Sequence, residues 1–582
     1  MKNLIRIVIL LNLLTLGDMD TAMAQDKKKI TVYQLLPRLF GNRQQHNVRY
    51  GTIEQNGSGK FADISDQALE GIKELGITHV WFTGVLSHAT LTDYSADGLP
   101  ANHPGVVKGI AGSPYAVRDY YDVDPDLAVV VKDRLKEFEA LIARTHNKGM
   151  KVIIDFVPNH VARQYQSKMK PAGVKDFGEG DNVGVPFSAA NDFYYVPGEE
   201  LVVPAAVSAV PAVLPSGSYR EFPAKATGNN VFSAHPTVDD WYETIKLNYG
   251  VDYQNQGREH FYPAPGVWEK MKDILIYWTG KGVDGFRCDM AEMVPLAFWN
   301  WVIPEVKKKN PRLIFIGEAY DPSTYKAFLT TGKFDYLYDK VGLYDGLKRL
   351  IRSEDQADVN AIRKVWQQES AGFGDRMLRF LENHDEERIA SAGFAGQAEL
   401  ALPAMVVCAT LSGGPVMVYF GQEVGEPAHG AEGFGGEDNR TSIFDYWGVP
   451  EHQKWMNNGA FDGGGLDEAQ KALRAYYARL LQFAGSSPAI AAGELWEIPA
   501  GGNMNAKMYG YVRYTATQRL LVLVNFDRHF RMESQVQIPA ALLQGRPVTE
   551  VQDRLSGLRL KDIKDNTIPI GVLPMSAQVL EF

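Results

Sequence analysis

Residues 267–289 have the sequence VWEKMKDILIYWTGKGVDGFRCD and combine a helix, a glycine and a strand in one run. Apolar side chains recur there at helical spacing, at Val267, Met271, Ile274, Leu275 and Trp278. Gly282 stands where such a helix would end, and Val283–Cys288 then has the pattern of a strand. A helix that leads through glycine directly into a strand is typical of a parallel sheet covered by helices.

The same unit recurs along the chain. The predicted strands are Ile30–Leu36, Ile77–Phe82, Met150–Phe156, Val283–Cys288, Leu313–Ile316, Tyr336–Tyr338, Met377–Leu381 and Val416–Phe420. About eight such strands favour a closed barrel, and an open doubly wound sheet is the alternative. The predicted fold class is therefore α/β, with a (β/α)8 TIM barrel.

Two stretches depart from this rhythm. Residues 161–264 have little helical periodicity and are too long for a bare loop, which predicts an inserted subdomain after strand 3. From Met504 onward the pattern consists of short strands, which predicts a C-terminal all-β sandwich domain. We therefore expect a barrel at 25–160 and 265–500, the insertion at 161–264 and the β domain at 501–582.

The N-terminus has the pattern of a secretory signal peptide. Lys2 and Arg6 precede the apolar run Ile7–Leu16, and Ala22-Met23-Ala24 supplies a cleavage pattern. The run is shorter than the roughly 20 apolar residues of a spanning helix. We expect residues 1–24 to be a signal peptide and the protein to be exported, periplasmic or extracellular, with no membrane span.

Composition narrows the partners. The chain has 582 residues, 45% of them apolar, and a net charge of -10. An acidic balance disfavours nucleic acid, whose phosphates favour basic surfaces. Cys288 and Cys408 lie in apolar segments, which favours two buried thiols over a disulfide and does not make a metal site. The sequence does not decide the oligomeric state.

Polar groups follow several of the predicted strands, at the barrel end where reactive residues usually lie. The motifs are Asp155-Phe156-Val157-Pro158-Asn159-His160, Gly285-Phe286-Arg287-Cys288-Asp289, Gly317-Glu318-Ala319 and Glu382-Asn383-His384-Asp385. Strand alternation places Arg287 and Asp289 on one face and Cys288 on the other. We therefore expect carboxylates, an arginine and histidines to converge at one barrel mouth.

In this order and spacing, the four motifs resemble those of the alpha-amylase family (glycoside hydrolase family 13). The resemblance also includes Pro114-Tyr115 and Val418-Tyr419-Phe420-Gly421-Gln422-Glu423, and it covers nearly the whole mature chain. It implies that Asp289 is the nucleophile, Glu318 the general acid/base and Asp385 the third catalytic carboxylate. The substrate-binding residues that it implies are Tyr115, His160, Arg287 and His384.

The resemblance also implies a question about calcium, which many members of the family bind. Gly250 stands near the position of a family aspartate, Met293 stands at that of a family histidine, and Asn159 is kept. Calcium needs six to eight oxygen ligands, usually with carboxylates among them. We expect no required cofactor and no metal ligand set, although calcium remains possible through an acid of the insertion: Asp176, Asp181 or Asp192.

The resemblance implies hydrolysis of alpha-1,4-glucosidic bonds in starch-derived glucans or maltooligosaccharides, with retention of configuration. Two alternatives remain open: an alpha-glucan transglycosylase of the same family, and a non-catalytic sugar-binding homologue. The preferred linkage, the chain length and the choice between endo and exo action are not decided by the sequence.

Overall fold

The computed structural model describes residues 28–205, 218–430, 432 and 436–582. The predicted signal peptide at 1–24 lies outside these residues. Within the part of the chain that is described, none of the helices combines the length and the apolar character needed to cross a membrane.

Eight parallel strands form one sheet. They are β1 (Thr31–Leu35), β2 (His79–Phe82), β3 (Lys151–Phe156), β4 (Gly285–Cys288), β5 (Ile314–Gly317), β6 (Tyr336–Tyr338), β7 (Met377–Leu378) and β8 (Val416–Tyr419). Neighbours in the sheet follow chain order, and β8 pairs with β1. Arg379 closes the ring, because its N–H donates to the Pro415 carbonyl at 3.0 Å and its carbonyl accepts from Met417 N at 2.9 Å. The predicted TIM barrel is confirmed, and the open sheet is wrong.

Helices surround the barrel. The main ones are α1 (Asp66–Glu74), α2 (Arg134–Asn147), α3 (Gly266–Gly280), α4 (Leu296–Lys307), α5 (Tyr325–Thr330), α6 (Asp345–Ile351), α7 (Leu402–Thr410) and α8 (Glu468–Ser486). Further helices are Pro37–Phe40, Ile53–Asn56, Asn360–Lys364, Pro450–Met456 and Pro488–Ala492, and Ala540–Leu543 lies in the C-terminal region. Each buried apolar side chain of such a helix stabilises the fold by about 1.5–3 kcal/mol.

The helix α3 shows how the sequence pattern becomes structure. It buries every residue of its predicted apolar face: Val267, Met271, Ile274, Leu275 and Trp278. The Trp278 indole donates to the Tyr120 carbonyl at 2.8 Å, so its polar atom is also satisfied. Beyond the helix, Gly282 adopts a φ of +96° and the Val283 N–H donates back to the Trp278 carbonyl at 3.2 Å. This glycine-dependent turn leads the chain directly into β4.

In its described residues, the region that follows β3 has only short antiparallel pairs. His160–Ala162 pairs with Thr244–Lys246, Tyr195–Val196 with Ala224–Lys225, and Val251–Asp252 with Arg258–Glu259. A further antiparallel pair, between Leu86–His88 and Val117–Val123, follows β2. The inserted subdomain is therefore present after strand 3, while the boundaries 161 and 264 stay a prediction.

The C-terminal region is all β apart from one short helix. Its strands are β9 (Glu494–Glu497), β10 (Met508–Tyr514), β11 (Arg519–Asn525), β12 (Met532–Gln537), β13 (Glu550–Asp553), β14 (Arg559–Lys561), β15 (Thr567–Val572) and β16 (Ser576–Glu581). They form one sheet in the order β9-β10-β11-β16-β13-β14 and a second sheet of β12 and β15. Both sheets contribute to one apolar core, as a sandwich requires.

The strand β11 is buried on both faces and joins the two regions. Leu521 and Leu523 point into the core of the sandwich, whereas Val522 and Val524 belong to the core of the barrel. A hydrogen bond of 2.6 Å between Thr410 of α7 and Tyr511 of β10 lies at the same boundary. The β domain therefore packs firmly on the barrel.

The turn at Gly282 provides a matched pair of variants. Gly282→Ala should lower the free energy of unfolding by about 1–2 kcal/mol, because a left-handed φ is unfavourable once a Cβ is present. Gly280→Ala should be neutral or stabilising, because Gly280 is helical and no atom lies within 4 Å of the added Cβ. Urea midpoints of the two variants and the parent protein check this. Equal loss in both would contradict the explanation.

Candidate active site

The carboxyl ends of the barrel strands and the insertion enclose a pocket of about 230 Å³. The predicted site residues that line it are Tyr115, His160, Asp289, Glu318 and Asp385. Arg287 and His384 lie immediately behind them, with 0% and 1% of their side chains exposed. The structure thus brings every predicted site residue to one place.

The guanidinium of Arg287 holds two carboxylates together. Its Nη1 lies 2.7 Å from Oδ1 of Asp289, and its Nη2 lies 2.7 Å from Oε1 of Glu318. Aromatic rings surround the guanidinium carbon at 5.4–5.6 Å: Trp81, Tyr115 and Tyr338. Burial by itself lowers the pKa of Arg287, but the carboxylates of Glu318 and Asp289 outweigh it, so the pKa lies well above its usual value. Arg287 is therefore a permanent buried cation.

Strand register explains why these groups meet. The register of β3 and β4 places Arg287 beside Asp155, and that of β4 and β5 places Cys288 beside Gly317. Where the ladder ends, Asp289 N donates to the Phe156 carbonyl at 2.9 Å. Asp289 and Glu318 therefore leave adjacent strands at the same level. Cys288 and Cys408 are free and buried, as predicted.

Both carboxyl oxygens of Glu318 have further hydrogen-bond donors. Oε1 accepts from the Tyr320 hydroxyl at 2.5 Å, and Oε2 accepts from the Met290 N–H at 2.7 Å. The loop behind it is held by Glu292, whose carboxylate accepts from the Tyr320 N–H at 2.8 Å and from the Thr324 hydroxyl at 2.6 Å. Glu318 thus has a defined position before any ligand is bound.

The acids of the pocket influence each other. Burial and then the charge of Glu318 raise the pKa of Asp289 well above its usual range, while Arg287 opposes the shift. The same causes raise the pKa of Asp385 to about 7. Asp385 is also the most open of the three, with 32% of its side chain exposed. Near neutral pH the cluster therefore retains a proton.

His384 is neutral, and its contacts define its tautomer. Nδ1 lies 2.8 Å from Gln34 Nε2, which can only donate, so Nδ1 accepts. Nε2 therefore carries the proton, and it lies 2.5 Å from the Tyr115 hydroxyl and 3.0 Å from Oδ2 of Asp385. Burial holds the pKa of His384 well below its usual value. The Nε2–H group of His384 is thus a hydrogen-bond donor with a fixed direction.

His160 lines the pocket directly. Its Nδ1 lies 3.1 Å from Asn159 Nδ2, an amide donor, so Nε2 carries the proton here too. Burial, and then the charge of Lys246, lower the pKa of His160 to about 3. The ring of Trp241, from the insertion, lies 5.4 Å away. Both histidines of the candidate site are therefore neutral.

Several contributors were missed by the sequence analysis. Asp155, quoted only as part of a motif, accepts from Gly84 N at 3.0 Å and from the Tyr115 hydroxyl at 3.3 Å. Its register with Arg287 could have been inferred from two adjacent strands. No local pattern marks Trp241 or the ion pair of Lys108 with Glu243, 3.0 Å, which also line the pocket.

The described residues do not fit a calcium site. Among them there is no group of three or more His, Cys, Asp or Glu side chains that could hold a metal ion. The amide oxygen of Asn159, the one retained candidate ligand, accepts instead from the ammonium group of Lys246. A divalent cation would be repelled there.

The other residues considered as calcium ligands are also unsuitable. Gly250 has a φ of +86°, and an added Cβ would lie 2.6 Å from the His260 carbonyl oxygen, so an aspartate does not fit there. The acids of the insertion bond within it: Asp176 pairs with Lys170, Asp192 with Lys270, and Asp181 accepts from Tyr195. The residue that reaches Asn159 is Lys246, four positions before Gly250, and the sequence analysis did not consider it.

Comparison with known proteins places this site in a family. Residues 34–445 match the family described as alpha amylase, catalytic domain. Alpha-amylase 3 of Dictyoglomus thermophilum is 23% identical over 434 residues, 71% of this chain and 74% of the relative. Neopullulanase 2 of Thermoactinomyces vulgaris is 22% identical over 526 residues, 88% and 72% of the two chains. The crystal structure of the alpha-amylase of Geobacillus thermoleovorans complexed with acarbose has a similar fold, with a TM-score of 0.60, 19% identity and 96% and 98% coverage.

Proposed function

This chain belongs to the alpha-amylase family of glycoside hydrolases, and from that premise we propose that it hydrolyses alpha-1,4-glucosidic bonds in starch-derived glucans or maltooligosaccharides with retention of configuration. The observation that carries the proposal is the bridge of Arg287 between Asp289 and Glu318, 2.7 Å to each. Retaining glycosidases use two carboxyl groups only about 5–5.5 Å apart, with no room for water between them. Two carboxylates that contact the terminal nitrogens of one guanidinium lie close together, which supports the proposal.

In the first step, an oxygen of Asp289 bonds to the anomeric carbon while the glycosidic carbon–oxygen bond breaks. The proton of Glu318 passes to the departing oxygen, so the leaving sugar is released as an alcohol. In the second step, Glu318 takes a proton from water, and the water oxygen bonds to the anomeric carbon as Asp289 leaves. Arg287 favours the ionised form of Asp289 that attacks, because a fixed cation opposes the rise in the pKa of that carboxyl.

The proton that the acid cluster retains near neutral pH is required in the first step of this mechanism. Burial and the charge of Glu318 raise the pKa of Asp385 to about 7. The first step needs one carboxyl protonated and the nucleophile ionised, and mutual repulsion among the three acids favours such a mixed state. In the proposed first step, Glu318 carries this proton because it is the group that protonates the leaving oxygen.

The remaining residues bind the sugar at the point of cleavage. We infer that Asp385, His160 and His384 bind hydroxyls of this sugar, since Asp385 and His160 line the pocket and His384 lies 3.0 Å from Asp385. Tyr115 stacks on His384 with ring centroids 5.2 Å apart, and its other face is suited to stack on a sugar ring. A non-catalytic sugar-binding role is disfavoured, because such a role needs no paired carboxylates.

We also propose that the protein is exported, from the signal-peptide pattern of residues 1–24. Cleavage after Ala24 should leave Gln25 as the first residue. N-terminal sequencing of the protein recovered outside the cytoplasm checks this, and an intact Met1 in that fraction would contradict it.

The stereochemistry of the first product tests the mechanism. Maltooligosaccharides treated with the enzyme should first release the alpha anomer, which proton NMR follows before mutarotation. The beta anomer would contradict the assignment of Asp289 as nucleophile. Products longer than the substrate at high sugar concentration would favour transglycosylation, and no release of sugar would favour the non-catalytic alternative.

Charge-removing variants test the individual roles. Glu318→Gln should lower kcat by about 10²–10⁴-fold on glucans, but much less on glycosyl fluorides, whose leaving group needs no proton. Azide should accelerate this variant and give a glycosyl azide of retained configuration. Asp289→Asn should lose activity on both substrates.

The exposed Asp462 supplies a control, because Asp462→Asn makes the same chemical change away from the pocket. It should keep full activity. A retained glycosyl azide from Asp289→Asn, and none from Glu318→Gln, would reverse the two roles.

A further inference from the structure

Lys246 is a buried cation outside the predicted site. It is 1% exposed, and its ammonium group donates to the side-chain oxygen of Asn159 and to the carbonyl of Met293, the latter at 3.2 Å. The ring of Tyr253 lies 5.4 Å from its nitrogen. Among the described residues, no aspartate or glutamate forms an ion pair with it. A buried charge with no ion partner is costly, so it requires other compensating groups.

The compensating oxygens come from different parts of the chain. Asn159 follows β3, Met293 ends the short helix Ala291–Met293 after β4, and Lys246 itself ends the strand Thr244–Lys246 of the insertion. The backbone adds bonds at the same junction, from Leu247 N to the Asn159 carbonyl at 3.0 Å and from Lys246 N to the Ala226 carbonyl at 3.0 Å. The ammonium group thus ties two barrel loops to the insertion.

We propose that the ammonium group of Lys246 is an internal cation that takes the place of a metal ion at the junction of the barrel and the insertion. An amide oxygen, a main-chain carbonyl and a ring face are all groups that bind cations. A lysine supplies the positive charge covalently, so the junction forms without a metal and is not lost to a chelator.

The same contact fixes part of the pocket wall. Because Asn159 accepts from Lys246 through its oxygen, its nitrogen must face the other way, where it donates to the Gly228 carbonyl at 2.8 Å and lies 3.1 Å from Nδ1 of His160. The contact with Lys246 therefore fixes the orientation of the Asn159 amide beside His160.

The first test uses the unaltered full-length protein. Its melting temperature at pH 6 should be the same in EDTA, in calcium and in buffer alone, and calorimetric titration with calcium should show no binding. Burial lowers the pKa of Lys246 to about 7, and pH 6 keeps the amine protonated. A fall of several degrees in EDTA that calcium reverses would overturn the proposal.

Two variants then test the position of the charge. Lys246→Asp replaces the long cationic side chain by a shorter carboxylate and leaves space for an ion. A calcium ion bound at about 2.4 Å from the carboxylate oxygen would fill much of that space. Calcium should raise the melting temperature of this variant by several degrees, and magnesium should raise it less. A lack of calcium stabilisation would contradict the claim that the ammonium group stands at a cation position.

Lys246→Met is the matched control, because it keeps most of the side-chain length and removes the ammonium group with its charge and its N–H donors. It should melt several degrees below the parent protein, and calcium should not restore it. An unchanged melting temperature would mean that the charge contributes nothing, which would overturn the proposal. These readouts do not depend on catalysis, so they remain decisive even if the proposed hydrolysis fails its own tests.

Discussion

The active-site cluster depends on one buried ion bridge, in which Arg287 binds Asp289 and Glu318 at 2.7 Å each. A guanidinium removed from water loses a large hydration energy, which is recovered only if its donors meet acceptors at good geometry. Nη1 donates to Asp289 at 2.7 Å and Nε to Tyr338 at 3.1 Å, while Nη2 forms an ion pair with Glu318 and aromatic rings cover the faces. The rigid barrel makes this arrangement possible, because adjacent parallel strands fix the distance between the groups.

The insertion has the opposite physical character, since its segments contain few regular hydrogen-bonded pairs. It nevertheless supplies Trp241, Glu243 and Thr244 to the pocket. A region with so little secondary structure needs specific polar contacts to hold it against the barrel. The contact of Lys246 with Asn159 is one of these, and it lies directly behind His160. The stability of the insertion and the shape of the pocket are therefore linked.

Much of the barrel was predictable because its strands and helices carry local patterns. All eight predicted strands are present, although several are a residue or two shorter than their apolar runs. Met377–Leu381 is the clearest case: the strand ends at Leu378, while Phe380 and Leu381 remain buried. Apolar character reports burial, whereas a strand requires hydrogen-bonded partners, and a neighbouring strand can end first. The strand Val117–Val123 was missed because several of its buried residues are polar. Their hydrogen-bond partners lie elsewhere in the chain, as with Asp119 and Ser167 or Asp122 and Arg134.

Sequence patterns were sufficient to predict the α/β class, the barrel, the β domain and the candidate acids and histidines, because each depends on periodicity or on a short motif at a strand end. The folded chain alone shows that Asp155 lies beside Arg287, that Trp241 lies near His160, and that Lys246 and not Gly250 contacts Asn159. These contacts join residues far apart in the chain, through register and through an irregular insertion. Local pattern contains no information about such distances, since they are set by how the whole chain packs.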